Sequence, residues 1–116
     1  MESKQRIIQE LVPGKQITLA HIIANPDAAL LAGLSAGGDG GGNRAIGVFT
    51  ITPPEGAIII ADIAIKSAGV RLLSIEHHNG SLLISGSVSE VEAAAAAILD
   101  YVNEKLGFEI CNITKT

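Results

Sequence analysis

The segment Thr52 to Val70, TPPEGAIIIADIAIKSAGV, reads as a helix that is apolar on nearly every face, with Asp62 and Lys66 as the only charges in its body. At 3.6 residues per turn, Glu55, Ile59, Asp62 and Lys66 fall on one narrow stripe, and the rest of the cylinder is Ala, Ile or Ser. Such a helix must be covered on more than one side, and a chain of 116 residues has little material to cover it twice. The missing cover is expected to be another copy of the chain.

Composition points the same way. A hydrophobic content of 47% with only 17% charged residues leaves too few charges for an ordinary monomeric surface. No apolar run reaches the length of a membrane span, and MESKQRIIQE lacks the apolar core of a signal peptide, so the sequence reads as one soluble cytoplasmic domain with no membrane partner. The net charge of −4, the absence of a basic cluster and an aromatic set limited to Phe49, Tyr101 and Phe108 argue against nucleic acid, which needs phosphate-neutralising cations and stacking platforms. The single cysteine, Cys111, has no internal disulfide partner, and its flank EICNIT suggests a buried strand position.

Along the chain, Gln16 to Ile23 alternates well enough for a strand that would put Ile17, Leu19, His21 and Ile23 on one side. Asn25-Pro26-Asp27 starts a short helix that Gly33 should stop, with Asn25 as the capping side chain. Residues 33–44 form a glycine-rich connector. Ala45 to Thr52 is a mostly buried strand, and Gly69 is placed to close the apolar helix that follows it. Val70 to Glu76 and Ser81 to Gly86 flank His77-His78-Asn79-Gly80, where Asn-Gly is a strong hairpin signal. A second long helix begins at Ser87-x-x-Glu90 or Ser89-x-x-Glu92, both of which fit a capping box; it runs through Ala93 to Ala97 and ends at Gly107, and Phe108 to Thr114 supplies a last strand. After the connector the order is β-α-β-β-α-β, an α+β, ferredoxin-like arrangement of two main helices on an antiparallel-dominated sheet. The strand and short helix before the connector are additions that this core does not need.

The segments RIIQELVPGKQITLAHIIANP and AIGVFTITPPEGAIIIADIAIKSAGV, the hairpin and the C-terminal CNITKT resemble bacterial microcompartment shell proteins in their circularly permuted form, the kind found in ethanolamine and propanediol utilisation compartments. The resemblance covers nearly the whole chain as a single permuted shell domain, residues 1–116. It implies a structural, non-enzymatic subunit that forms homohexamers, and those hexamers join other shell proteins in a lattice around encapsulated enzymes. It places Lys66 at the hexamer edge, where a long apolar stem and a terminal ammonium suit a seam. Asn25 stands where common members carry an arginine. His77, His78, Asn79, Gly80 and Ser81 correspond to the loop that converges on the sixfold axis. Arg6, Ile7, Ile8, Gln9, Glu10, Leu11 and Val12, within the extension 1–13, correspond to a strand of a small axial barrel that caps the pore. The resemblance leaves ethanolamine, propanediol and choline pathways equally open.

Other readings carry less weight. AGGDGGGN lacks the Gly-Lys-Ser/Thr ending of a phosphate loop and precedes a strand. No metal or cofactor is expected: His77 and His78 at a strand end would point to opposite faces, with no third ligand at the right spacing. His21 reads as a satisfied strand histidine, and Lys66 could simply pair with Asp62 one turn away. The alternative function is a small-molecule-sensing regulator of ferredoxin-like fold, with the connector as its ligand loop.

Overall fold

The computed structural model describes residues 14–34 and 44–116. The expected axial strand, residues 6–12, and the glycine-rich run at 35–43 lie outside the described residues. In chain order the elements are β1 (Gln16–Ile23), α1 (Ala28–Gly33), β2 (Ala45–Thr52), α2 (Gly56–Ser67), β3 (Arg71–Glu76), β4 (Ser81–Gly86), α3 (Val88–Leu106) and β5 (Thr114–Lys115). The strands make one sheet in the order β3-β4-β2-β1-β5. All neighbours are antiparallel except β1 and β5, which run parallel. Helices α2 and α3 pack on each other and on one face of the sheet.

The α+β arrangement of the sequence is present, with one correction. In a ferredoxin-like sheet the last strand would lie beside β2, yet here β1 separates them and pairs with both. The strand that looked like an addition is therefore an interior strand of the sheet, hydrogen-bonded on both sides.

β1 departs from simple alternation as well. Its pairing with β2 shifts register between Ile17 and Leu19, which leaves Thr18 as an extra residue. A bulge of this kind swaps the faces of everything beyond it. The core side is thus Ile17, Ala20 and Ile22, all nearly inaccessible, and Leu19 remains 39% exposed. The expected face of Ile17, Leu19, His21 and Ile23 holds only up to the bulge.

Helix ends follow local chemistry. At α1 the capping side chain is Asp27, which accepts from the Ala29 N–H at 2.8 Å, and Asn25 does not cap. At α2 the helix ends at Ser67 with Ala68 extended, so Gly69 is not its left-handed cap. At α3 both halves of the Ser87–Glu90 capping box form, and Gly107 closes the helix at φ 73°. That choice settles the two overlapping capping signals in favour of Ser87.

The C-terminal segment is less regular than the single strand expected from Phe108 to Thr114. Glu109 makes an isolated bridge to Gln16, the next residues are irregular, and pairing resumes only at Thr114–Lys115. Phe108 is buried in the core, and Cys111 is half-buried in the irregular stretch rather than on a strand.

Between β3 and β4 the connection has four residues, 77–80, with Glu76 opposite Ser81. The Gly80 N–H donates to the Glu76 carbonyl at 2.8 Å, and the Gly80 carbonyl accepts from the Ile51 N–H at 2.9 Å. Gly80 has φ 79°, and a Cβ there would lie 2.3 Å from the Ile51 carbonyl oxygen. Gly107 has a similar φ of 73° with nothing within 4 Å of a Cβ. The two sites separate backbone strain from steric overlap. Gly107→Ala is expected to cost about 1 kcal/mol. Gly80→Ala is expected to cost about 3 kcal/mol or more, because strand β2 must also move. Urea unfolding at one fixed protein concentration measures both, and equal losses would contradict this account.

Candidate functional site

Helix α2 buries its small residues and exposes its large ones. Gly56, Ala57, Ala61 and Ala64 face inward with Ile60, and Ile58, Ile59 and Ile65 are 54%, 46% and 48% exposed. The inward face is small because α3 meets it with its own alanines, Ala94 and Ala95 among them, so the two backbones approach closely. The outward isoleucines have no partner in their own subunit to match their size. Ile58, Asp62 and Ile65 recur at helical spacing on one side of the exposed surface, and Ile59, Ile63 and Lys66 on the other.

The second stripe lines an open groove of about 380 Å³ between α2 and α3, walled by Ile59, Ile63, Ala97 and Tyr101 and flanked by Asp62, Lys66 and Ser67. The Lys66 ammonium lies 2.9 Å from an Asp62 carboxylate oxygen. The hydrogen bond from Asp62 raises the Lys66 pKa above the ordinary 10.5, and the Asp62 charge adds to it. Both side chains are mostly in water, at 74% and 60% exposure, so the pair is screened and exchangeable. The sign of the linkage follows: any stabilisation is fully present below the ordinary lysine range and is lost as pH rises through the raised value. Ion pairing with Asp62, the plain reading of Lys66, is thus present within the isolated subunit.

Asn25 is exposed in the turn before α1. Neither β1 nor α1 packs on α2, so one subunit does not bring Asn25 and Lys66 together. Helix α1 packs on no other described element, and its Leu30 is 41% exposed.

The hairpin residues His77, His78, Asn79, Gly80 and Ser81 form a compact, polar tip. His77 and His78 do not point to opposite faces as a strand end would require. Both belong to the four-residue loop, exposed, with ring centroids 4.2 Å apart and planes tilted by 37°. The His78 N–H donates to a Glu76 carboxylate oxygen at 3.3 Å, and the Ser81 hydroxyl donates to the Asn79 side-chain carbonyl at 2.5 Å.

One cluster escaped the sequence reading. His21 Nδ1 lies 2.6 Å from the Thr114 hydroxyl, and Nε2 lies 2.9 Å from the Thr116 hydroxyl. Both ring nitrogens are therefore occupied, which agrees with a satisfied strand histidine. Lys115 points the other way and pairs with Glu92 of α3 at 2.5 Å. The available signal was the period of two in Thr114-Lys115-Thr116, which has meaning only once β5 is placed beside β1. Among the described residues no three His, Cys, Asp or Glu side chains gather as a metal site, and no helix is long and apolar enough to cross a membrane.

Residues 45–113 match the BMC domain family. Among curated proteins, the chain is 46% identical over 111 residues to the bacterial microcompartment shell protein CutR of Streptococcus intermedius, a match that spans 96% of this chain and 92% of CutR. It is 42% identical over 113 residues to the shell protein EutS of Escherichia coli strain K12, spanning 97% and 98% of the two chains. Among solved structures, it superposes on a CutR flat hexamer subunit with a TM-score of 0.82 at 44% identity, over 96% of this chain and 99% of that one.

The Asp62 pairing is directly testable. In Asp62→Asn the Lys66 titration midpoint should fall toward the ordinary lysine value, followed by NMR through the side-chain carbon next to Nζ. An unchanged midpoint would show that Asp62 is not what raises it.

Proposed function

The chain belongs to the BMC domain family of bacterial microcompartment shell proteins, and we propose that it acts by assembly, closing into homohexamers that tile with other shell proteins around encapsulated enzymes. The relatives are shell proteins, not the metabolite-sensing regulators of the alternative reading. The observation that carries hexameric assembly is the surplus of helix α2, whose exposed Ile58, Ile59 and Ile65 await a partner surface, on a subunit that superposes on one from a CutR flat hexamer. Burying a side chain of this size contributes roughly 1.5–3 kcal/mol, and about half of that is still to be gained at each of the three positions. The standing helix α1 with its exposed Leu30 adds a second face that its own subunit leaves uncovered.

Within this assembly Lys66 has the role of an edge residue between hexamers, with Asn25 on the neighbouring edge. Its exposed, screened pairing with Asp62 supports that role, because exchanging a carboxylate for a carbonyl across a seam costs little at such a site. The hairpin tip His77 to Ser81 is assigned to the sixfold axis, and residues 6–12 to a barrel that caps it. The compact, glycine-locked loop supports the first assignment, since six copies around an axis need one fixed backbone path. An assembly role needs no catalytic group, and the two histidine sites engage neighbouring side chains and backbone within the loop and sheet.

Sedimentation of the wild-type chain should give a hexamer without added ligand, with sheets or tubes visible by negative-stain electron microscopy. A trimer that changes with added nucleotide would support the regulator instead. Lys66→Ala should keep the hexamer and impair the sheets, whereas Ile58→Glu should yield a folded subunit that no longer forms the hexamer. Normal sheets from Lys66→Ala would remove Lys66 from the edge, and an intact Ile58→Glu hexamer would remove that face of α2 from the ring interface.

A further inference from the structure

The hairpin loop brings two imidazoles into an arrangement that the spacing of adjacent residues on a strand would forbid. His77 and His78 are both exposed, and their ring centroids lie 4.2 Å apart. An imidazole nitrogen binds a first-row divalent metal at about 2.1 Å, which puts the ring centroid about 3.2 Å from the ion. Two rings bound cis, at about 90°, then have centroids about 4.6 Å apart, and two rings in a tetrahedral set have them about 5.3 Å apart. The observed separation is within a few tenths of an ångström of the cis value and about 1 Å short of the tetrahedral one.

The loop that carries them is fixed. Its closing hydrogen bond runs from the Gly80 N–H to the Glu76 carbonyl, and the Gly80 carbonyl is anchored in turn by the Ile51 N–H of β2. The backbone of residues 77–80 is therefore ordered before any ligand arrives, so a chelate would order chiefly the side chains. The Glu76 carboxylate, already on the His78 N–H at 3.3 Å, sets a negative charge beside the pair. No third His, Cys, Asp or Glu completes a ligand group among the described residues, so the remaining positions fall to water.

We propose that His77 and His78 together form a two-imidazole chelate for a divalent transition-metal ion of tetragonal preference, copper(II) or nickel(II), with one ion per subunit. Geometry is what selects the metal: tetragonal nitrogen sites suit these two ions, and zinc(II) prefers a tetrahedral set. Binding needs only one loop, so it does not depend on where the loop stands in a hexamer.

Copper(II) added to the untagged full-length chain tests this. Wild type is expected to take up one ion per subunit, with an electron paramagnetic resonance spectrum that shows coupling to two imidazole nitrogens. His77→Ala and His78→Ala should each reduce the coupling to one nitrogen and weaken uptake by about ten-fold or more, and the double variant should lose the site. Both residues are exposed, so the melting temperature of the metal-free variants should stay at the wild-type value. Equal uptake by wild type and double variant would place the metal elsewhere and overturn the proposal. One ion shared by two or more subunits would overturn the single-loop chelate, and a wild-type spectrum without two-nitrogen coupling would do the same.

Discussion

The ladder between β1 and β2 holds this molecule together. β2 lies at the centre of the five-stranded sheet, and β1 is the only strand on its far side that reaches the C-terminal segment. Remove β1, and β5 loses its hydrogen-bonded neighbour while Phe108 loses the bridge that sets its entry into the core. A strand of two residues forms too few backbone bonds to hold by itself. Side chains supply the rest. His21 reaches Thr114 and Thr116 on one face of the sheet, Lys115 reaches Glu92 on the other, and the Ala24 N–H donates to the Thr116 carbonyl at 2.8 Å. The end of the chain is thus clasped by a strand that comes near its beginning, and that contact closes the order the permutation opened.

With the sheet closed this way, the size pattern of α2 becomes a consequence of packing. The core already holds Phe49, Ile22, Leu82 and Ile84 from the sheet and Val91 and Ile98 from α3. Alanine fits the remaining gap, since larger side chains would push the helix away from α3 and the sheet. Isoleucine at 58, 59 and 65 contributes nothing to that interior. Helix propensity would favour alanine or a charged residue at exposed positions, so three β-branched apolar side chains there work against the isolated subunit. They make sense if the stable unit is larger than one chain.

Much of this was legible from residue order, and the failures have local causes. The apolar excess of α2, the capping box at Ser87, the stop at Gly107 and the turn at Gly80 each rest on interactions within a few residues, so sequence carries them. The face of β1 was misread because one bulged residue, Thr18, inverts the period-two pattern, and bulges leave no mark in hydrophobicity. Asp27 took the cap from Asn25 through a bond two residues long that Asn25 could equally have offered. Strand order was out of reach for a different reason: β5 sits beside β1 only through contacts about 93 residues apart in sequence, such as His21 with Thr114. The same limit hid the histidine clasp. For the edge and axial roles of Lys66 and the hairpin, residue patterns gave nothing, and resemblance alone suggested them.

Assembly of this kind asks opposite things of different parts of the surface. A ring interface must be apolar enough to close without a ligand, which the α2 isoleucines provide. A seam between rings must open and re-form as a shell grows, and contacts there should be individually weak. Lys66 meets that condition: its charge is held in reserve by Asp62 in a pair that water screens on all sides. The ammonium can leave for a carbonyl acceptor without stranding a buried carboxylate, because Asp62 is itself well hydrated. A buried pair at the same place would hold the subunit tighter and make the edge harder to join. The exposure of both partners is therefore the physical feature that lets one helix serve a permanent contact on its isoleucine side and a reversible one at its end.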